Sequence, residues 1–120
     1  INWTEGEKHF RNCLLDFNKA NNVAQWQWVA GCGADAAPYF RIFNPILQGE
    51  KFDKEGLYVK RWVPELKKVP NKFIHKPWEM EIKYQEAIQT IIGKDYPNPI
   101  VIHEKARASA LEAFQSLKNK

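Results

Sequence analysis

Common signals of location and of disulfide or metal chemistry are missing from this chain of 120 residues. Its two cysteines, Cys13 and Cys32, have no metal-ligand spacing, so neither a disulfide framework nor a metal site is indicated. No apolar run approaches the roughly 20 residues of a membrane span. Charged residues precede any hydrophobic run at the start, unlike a signal peptide. We therefore expect an intracellular, reduced protein of the cytoplasm, without a membrane partner.

Local signatures of enzymatic chemistry are missing as well. There is no Gly-rich phosphate loop, no pair of neighbouring cysteines and no His-x-x-x-His motif. Because His9, His75 and His103 are scattered, we expect surface or capping roles for them rather than metal binding. The only methionine is Met80. We therefore expect this chain to be a piece of a longer protein.

The composition is that of one globular domain. Hydrophobic residues make up 44% of the chain and aromatic residues 13%, which is enough for a packed core. The net charge is +4, and because residues 1–60 balance seven basic with seven acidic side chains, the whole excess follows residue 60. An anionic partner and an ordinary lysine-rich solvated face both remain compatible with this pattern.

Helical spacing of apolar residues dominates the chain, and the sequence therefore predicts an all-α fold. Thr4 with Glu7 indicates a capping box for a first helix that ends near Ala20. A second helix is predicted from Val23 to Ala30, where Gly31 stops it. Asn44 followed by Pro45 is typical of the start of another helix.

The second half is predicted to continue with helices separated by proline-containing segments. A turn at 53–56 precedes a helix that Pro64 interrupts, and 67–77 is expected to be an ordered surface loop. Helices are predicted over 78–92 and 103–117, with an extended segment at 96–99 between them. Trp62 and Trp78 are assigned to packing, because tryptophan is first a large apolar side chain.

The most informative segment is 26–45, which begins with the tryptophan pair Trp26 and Trp28. Residues two positions apart on a helix point about 200° apart, so one core cannot bury both indoles. One indole could face a buried cofactor and the other a cavity or a nucleic-acid base. Arg41, within the same segment, could neutralise a phosphate.

Polar residues near the first two helices permit two interpretations. Asp16, Asn18 and Asn22 could simply end a helix, or they could bond the N–H and C=O groups of a heterocycle such as a flavin. Arg41, Gln48 and Lys51 could be ordinary solvated residues or contacts to a DNA backbone.

Five segments together resemble the DNA photolyase and cryptochrome family over essentially the whole chain: 3–7, 26–45, 44–52, 61–66 and 97–103. The resemblance implies that residues 1–120 are the C-terminal part of a helical FAD-binding domain. It also implies that an antenna domain and the first half of the helical domain belong to the remainder of the photolyase chain. FAD is the implied cofactor, and UV-damaged DNA containing pyrimidine dimers is the implied partner of a monomeric parent protein.

The resemblance also implies roles for single residues. Trp26 and Trp3 match two members of an electron-transfer relay, and Phe10 matches an aromatic residue packed near it. Asp16, Phe17 and Asn18 match the stretch that bonds the isoalloxazine edge, and Asn22 matches the side chain beside the reactive nitrogen of the flavin. Trp28 matches the tryptophan that stacks on the flipped-out dimer, while Arg41, Gln48 and Lys51 fall where the family contacts the damaged strand. Asn18 departs from the pattern, because the family usually has an aspartate there.

Three functions are compatible with these residues. A light-driven cyclobutane pyrimidine dimer photo-lyase is the first, and Asn22 favours it because plant cryptochromes tend to have aspartate there. A cryptochrome-type blue-light photoreceptor without repair activity is the alternative. A helical nucleic-acid-binding module is a third hypothesis, based on the basic second half. The isolated chain is expected neither to retain FAD well nor to repair DNA.

Overall fold

A computed structural model describes residues 1–35 and 41–118, the side chain of residue 118 excepted. The α-helices are α1 (Trp3–Cys13), α2 (Lys19–Val29), α3 (Pro45–Phe52), α4 (Leu57–Trp62), α5 (Ile82–Ala87) and α6 (His103–Lys118). Short 3-10 helices are formed by Pro64–Leu66, Asn71–Phe73 and Pro77–Glu79. No β-strand occurs within the described ranges, where Ile92 and Tyr96 form an isolated bridge. The all-α prediction is confirmed.

The chain divides into two compact units, Ile1–Ile42 and Phe43–Lys120. In the first unit α1 and α2 pack on each other. In the second unit α4 packs on the 3-10 helix that follows it. Among the helices of the described residues, none combines the length and apolar character that a membrane crossing requires.

The boundaries of α1 differ from the sequence prediction at both ends. Asn2, and not Thr4, is the N-cap: its side chain accepts a hydrogen bond from the backbone N–H of Thr4 at 3.0 Å. The helix ends at Cys13, because Leu14 takes an extended conformation. Asn18 then caps α2 by accepting from the backbone N–H of Asn21 at 3.0 Å. The apolar spacing that predicted one helix to Ala20 therefore spans a break.

Three helix boundaries in the middle of the chain agree with the prediction. Gly31 marks the end of α2. Its φ is 70°, and its backbone N–H donates to the carbonyl of Trp28. Asn44 caps α3 by accepting from the N–H groups of two residues in its first turn. Asp53 follows α3, and its carboxylate accepts hydrogen bonds from the N–H groups of Tyr58 and Val59 in the first turn of α4, at 3.1 and 3.3 Å.

The hydrophobic core of the second unit lies where a surface loop was predicted. Its buried members are Leu66, Val69, Ile74 and Met80, each at most 3% exposed. Two of these four residues lie within 67–77, so the prediction of a surface loop was wrong. Prolines and lysines in that segment gave the wrong signal, because short 3-10 turns bury Val69 and Ile74 while Lys67, Lys68 and Lys72 stay exposed.

The long helix predicted over 78–92 is also absent. A 3-10 turn and the six-residue α5 stand in its place. Gln85 explains the early end: its buried amide donates to the carbonyl of Met80 at 2.8 Å and accepts from the N–H of Ile92 at 2.9 Å. This side chain therefore holds together the chain segments before and after α5. Helix α6, by contrast, begins at His103 as predicted.

Candidate functional site

The pair of helices in the first unit is joined by a buried polar link between Glu7 and Asn22. The Nδ2 amide of Asn22 donates to the backbone carbonyl of Glu7 at 2.9 Å and to its carboxylate Oε1 at 3.1 Å. Arg11 completes the link by donating from Nη2 to the same Oε1 at 2.7 Å. Both partners of Asn22 can only accept hydrogen bonds, so chemistry fixes which end of the amide is nitrogen. The carbonyl end of Asn22 is therefore the end that can receive another donor.

Trp26 lies directly against the backbone of α1. A Cβ atom at Gly6 would meet the six-membered ring of this indole, with Cζ2 at 2.7 Å, so only glycine permits this close approach. The ring of Phe10 meets the same indole edge to face, with centroids 5.1 Å apart. Trp3 lies on the same face of α1, one turn before Gly6 and two turns before Phe10. Gly6 and Phe10 thus both contact the Trp26 indole from one face of α1.

A cavity of about 270 Å³ opens beside this link, and we call it the Asn22 cavity. Its lining residues are Phe10, Leu14, Asp16, Asn18, Asn21, Asn22, Gln25 and Trp26. It combines aromatic faces with amide and carboxylate groups at the start of α2. Phe17, which the resemblance places with Asp16 and Asn18, is half-buried and is not among the lining residues.

Trp28 lines a different cavity, of about 340 Å³, which we call the Trp28 cavity. The other lining residues are Ala24, Gln25, Gln27, Cys32, Ala34 and Asp35. Trp28 itself is 42% exposed, whereas Trp26 is half-buried. The two indoles therefore line two different cavities, and Gln25 is the lining residue that the two cavities share.

The residues expected at a DNA backbone are exposed but belong to separate parts of the molecule. Arg41 is exposed near the end of the first unit. Gln48 and Lys51 are exposed on α3 in the second unit, and the Lys51 ammonium lies 5.1 Å from the ring centroid of Phe52. Residues 36–40 of the segment that carries the resemblance lie outside the described residues.

Within the described ranges, two charged groups near the C-terminal end of α3 have shifted pKa values, Asp53 and Lys76. Burial opposes the ionisation of Asp53, but the backbone N–H groups of Tyr58 and Val59 and the nearby His75 ring outweigh it, so the pKa of Asp53 lies below its ordinary value. A hydrogen bond from Lys76 to Glu50, at 2.8 Å, together with the charges of Glu50 and Glu79, raises the pKa of Lys76 against its partial desolvation.

Several of these contacts were not predicted from the sequence. Glu7 was assigned to a capping box, whereas the structure places it in the link to Asn22. His9 and Cys13 are not neighbours in the sequence, but they lie one helical turn apart on α1. The Sγ of Cys13 is therefore 3.8 Å from Nδ1 of His9. Trp62, assigned to packing, is 61% exposed and contacts Tyr58 and the Arg61 guanidinium. The glycine inside α1 was the one available signal for the Trp26 contact.

The first unit thus has a cavity lined by aromatic and amide groups of α1 and α2, and a second cavity lined by Trp28. The model of the family described as the FAD binding domain of DNA photolyase matches residues 1–116. The chain belongs to this family, and FAD is the cofactor of the family.

Curated relatives agree with this assignment. A deoxyribodipyrimidine photo-lyase of Agrobacterium fabrum is 57% identical over 118 residues, which are 98% of this chain and 25% of the relative. The protein of the same description from Escherichia coli is 50% identical over 97% of this chain and 23% of its own length. The chain thus spans about a quarter of the length of the relatives it matches.

Solved structures share the fold. A class III photolyase from Agrobacterium tumefaciens superposes with a TM-score of 0.86 at 56% identity, over 100% of this chain and 25% of its own. A cryptochrome of Synechocystis superposes with a TM-score of 0.83 at 35% identity, over 93% of this chain and 23% of its own.

The residues of the Asn22 cavity fit part of the cofactor that this family binds. A flavin ring system needs aromatic or apolar faces and hydrogen-bond partners at its N–H and C=O edge, and the lining supplies both. Its volume of about 270 Å³ lies just below the range of small-ligand pockets, which runs from about 300 to 1,000 Å³. The cavity therefore suits an edge of the ring system rather than the whole of FAD.

Proposed function

We propose that the full-length protein containing this chain is a deoxyribodipyrimidine photo-lyase, a light-driven enzyme that repairs cyclobutane pyrimidine dimers in DNA. We further propose that it acts as a monomer in the cytoplasm and that residues 1–120 are the C-terminal part of its FAD-binding domain. The observation that carries the proposal is the placement of Trp26 and Trp28 on two different cavities. One cavity suits a flavin edge, and the other would receive an extruded pyrimidine dimer.

In the Asn22 cavity the residues of this chain would hold and orient the flavin. Bound FAD, when reduced and excited by blue light, would supply the electron that opens the cyclobutane ring and would receive it back, so that no net oxidation would occur. Asn22 is held by Glu7 so that its amide oxygen is the end available to the ligand. Trp26, which packs against Gly6 and Phe10, would pass an electron toward the cavity, and Trp3 lies on the face of α1 that carries Gly6 and Phe10.

In the Trp28 cavity the indole would stack on the extruded dimer. Enzymes that act on a flipped base, photolyases among them, meet an unstacking cost of a few kcal/mol, which damage lowers. Base stacking on an aromatic side chain contributes about 1–3 kcal/mol per base, so Trp28 could offset much of this cost. Arg41, Gln48 and Lys51 would contact the damaged strand, which predicts salt-dependent binding.

Illumination of the full-length protein with an oligonucleotide that carries one thymine dimer tests the proposal. We expect loss of dimers under blue light when the flavin is reduced, and none in the dark. Trp28→Ala should weaken binding of the damaged DNA about 5- to 150-fold, the equivalent of about 1–3 kcal/mol, and leave flavin photoreduction intact. Trp26→Phe should impair flavin photoreduction and leave binding of the damaged DNA intact. Intact dimers after illumination with reduced flavin would contradict the proposal.

A cryptochrome-type photoreceptor is the second candidate, favoured by the likeness of the Synechocystis structure at a TM-score of 0.83. This candidate predicts photoreduction through Trp26 without dimer loss. The illumination experiment separates the two, because the photoreceptor retains the first activity and lacks the second. Tight binding of dimer-containing DNA that Trp28→Ala abolishes would count against the photoreceptor.

A further inference from the structure

Helix α3 is anchored at its C-terminal end by the neighbouring residues His75 and Lys76. The Nε2–H of His75 donates to the backbone carbonyl of Asp53 at 2.7 Å, and a carbonyl can only accept, so Nε2 must carry a hydrogen. The His75 side chain is only 9% exposed. Lys76 adds an ion pair, with Nζ 2.8 Å from Oε1 of Glu50. Two adjacent side chains from outside α3 thus hold its last turn.

The His75 ring also packs directly on the backbone of α3. A Cβ atom at Gly49 would meet this ring, with Cγ at 2.7 Å and Cε1 at 2.8 Å. Any side chain at this position would therefore displace the imidazole. The close approach and the hydrogen bond to Asp53 fix both the distance and the rotation of the helix relative to His75.

The anchored side of α3 lies opposite its exposed side. At about 100° per residue, Gly49, Glu50 and Asp53 fall within one arc of the helix. Gln48 and Lys51 fall on the other side, and both are exposed. A rotation of α3 about its axis would therefore turn these two side chains away from whatever they contact.

We propose that His75 is a positioning residue for damaged DNA, because it holds α3 in the rotation that presents Gln48 and Lys51 to the phosphate backbone. This inference rests on the proposed function. His75 itself does not touch the nucleic acid in this scheme and acts through α3. The histidine was expected in a surface or capping role, and its bond to Asp53, the residue that ends α3, is a capping contact made from outside the helix.

Binding of a thymine-dimer duplex to the full-length protein, measured over a range of salt concentrations, tests the inference. We expect His75→Ala to weaken binding roughly tenfold, the equivalent of one lost buried hydrogen bond. We also expect it to reduce the salt dependence by about one counterion, as Lys51→Ala does. Flavin absorbance and photoreduction should not change. His75→Gln, which retains an N–H donor, should restore part of the affinity.

Two combinations distinguish positioning from a general loss of structure. In a Gln48→Ala/Lys51→Ala background, His75→Ala should have little further effect, because the groups it positions are gone. Gly49→Ala should weaken binding by displacing the ring, and adding His75→Ala should cost less than the sum of the two. Gly49→Ala tests the same contact should His75→Ala fail to fold. His103→Ala, in α6, is the matched control and should bind normally.

Failure of the proposed function and failure of the positioning role give different results. If the unsubstituted protein does not prefer dimer-containing DNA, the proposed function is wrong. If it does, and Lys51→Ala weakens binding while His75→Ala and Gly49→Ala do not, the positioning role is wrong. An equal loss from His75→Ala with and without Gln48 and Lys51 would also overturn it.

Discussion

Replacing Asn22 by aspartate probes the buried link between α1 and α2. The native amide donates to the carbonyl and to the carboxylate of Glu7, at 2.9 and 3.1 Å. Asn22→Asp keeps the shape of the side chain but sets a carboxylate against two acceptors. One of the two carboxyl groups must then hold a proton, or the helices must separate. The substitution therefore makes the stability of the helix pair depend on pH.

The structure gives the size of this effect. Two like charges about 3.1 Å apart repel by about 5 kcal/mol at an effective dielectric constant of about 20. Alone, this would raise the pKa of the introduced carboxyl from about 4 to near 8. Arg11, 2.7 Å from the Glu7 carboxylate, reduces the repulsion, so we expect a value between about 6 and 8. The unfolded chain releases this proton near pH 4. As the pH rises from about 4 to the raised pKa, the folded state of the variant therefore loses about 1.4 kcal/mol of stability per pH unit.

Urea unfolding of the full-length protein at pH 5, 6 and 7 measures the prediction. We expect the deficit of Asn22→Asp relative to the unsubstituted protein to grow by about 2 kcal/mol from pH 5 to pH 7. Asn22→Leu is the matched control, because it removes the hydrogen bonds without adding charge, and its deficit should vary little with pH. Equal deficits of Asn22→Asp at pH 5 and pH 7 would refute the reasoning.

Three further predictions concern other contacts. Gly6→Ala should displace the Trp26 indole, destabilise the fold by about 1–3 kcal/mol and slow flavin photoreduction under illumination, and adding Trp26→Phe should recover part of the stability. The pKa of Asp53 is lowered from 3.8, so its carboxylate stabilises the fold above that pH and the contribution is lost as the pH falls further; circular dichroism should show a shallower acid transition for Asp53→Asn, and an unchanged transition would contradict this. Gln85→Leu leaves the buried carbonyl of Met80 and the partly buried N–H of Ile92 without their partner, so chemical denaturation should show a loss of about 2–4 kcal/mol. The exposed Gln115→Leu should change stability by less than about 0.5 kcal/mol.

Helix ends with a local signal could be predicted from the sequence. Asn44 before Pro45 marked the start of α3, and Gly31 marked the end of α2. The end of α1 could not, because the apolar spacing continues through Leu14 and Leu15 while the backbone becomes extended at Leu14. Asn18 starts a new helix by accepting from the backbone N–H of Asn21, and this cap accounts for the separation of α1 from α2. Helix propensity alone does not distinguish one long helix from two short ones.

The candidate site was predictable where it depends on helical spacing and not where it depends on distant partners. The spacing of two positions from Trp26 to Trp28 was enough to predict that the indoles point in different directions from α2. The partner of Asn22, however, lies 15 residues earlier, and Glu7 had an equally good local role as a capping residue. His75 and Gly49 meet only because α3 and the core segment fold against each other.

The core of the second unit is contained in a short stretch of chain. Leu66, Val69, Ile74 and Met80 are all within 15 residues, and one-turn helices connect them. Contacts so close in sequence form early, since little loop entropy opposes them. As the polypeptide leaves the ribosome, this stretch can collapse into a seed soon after its synthesis, and α3 can then dock on His75 while later residues are still being added.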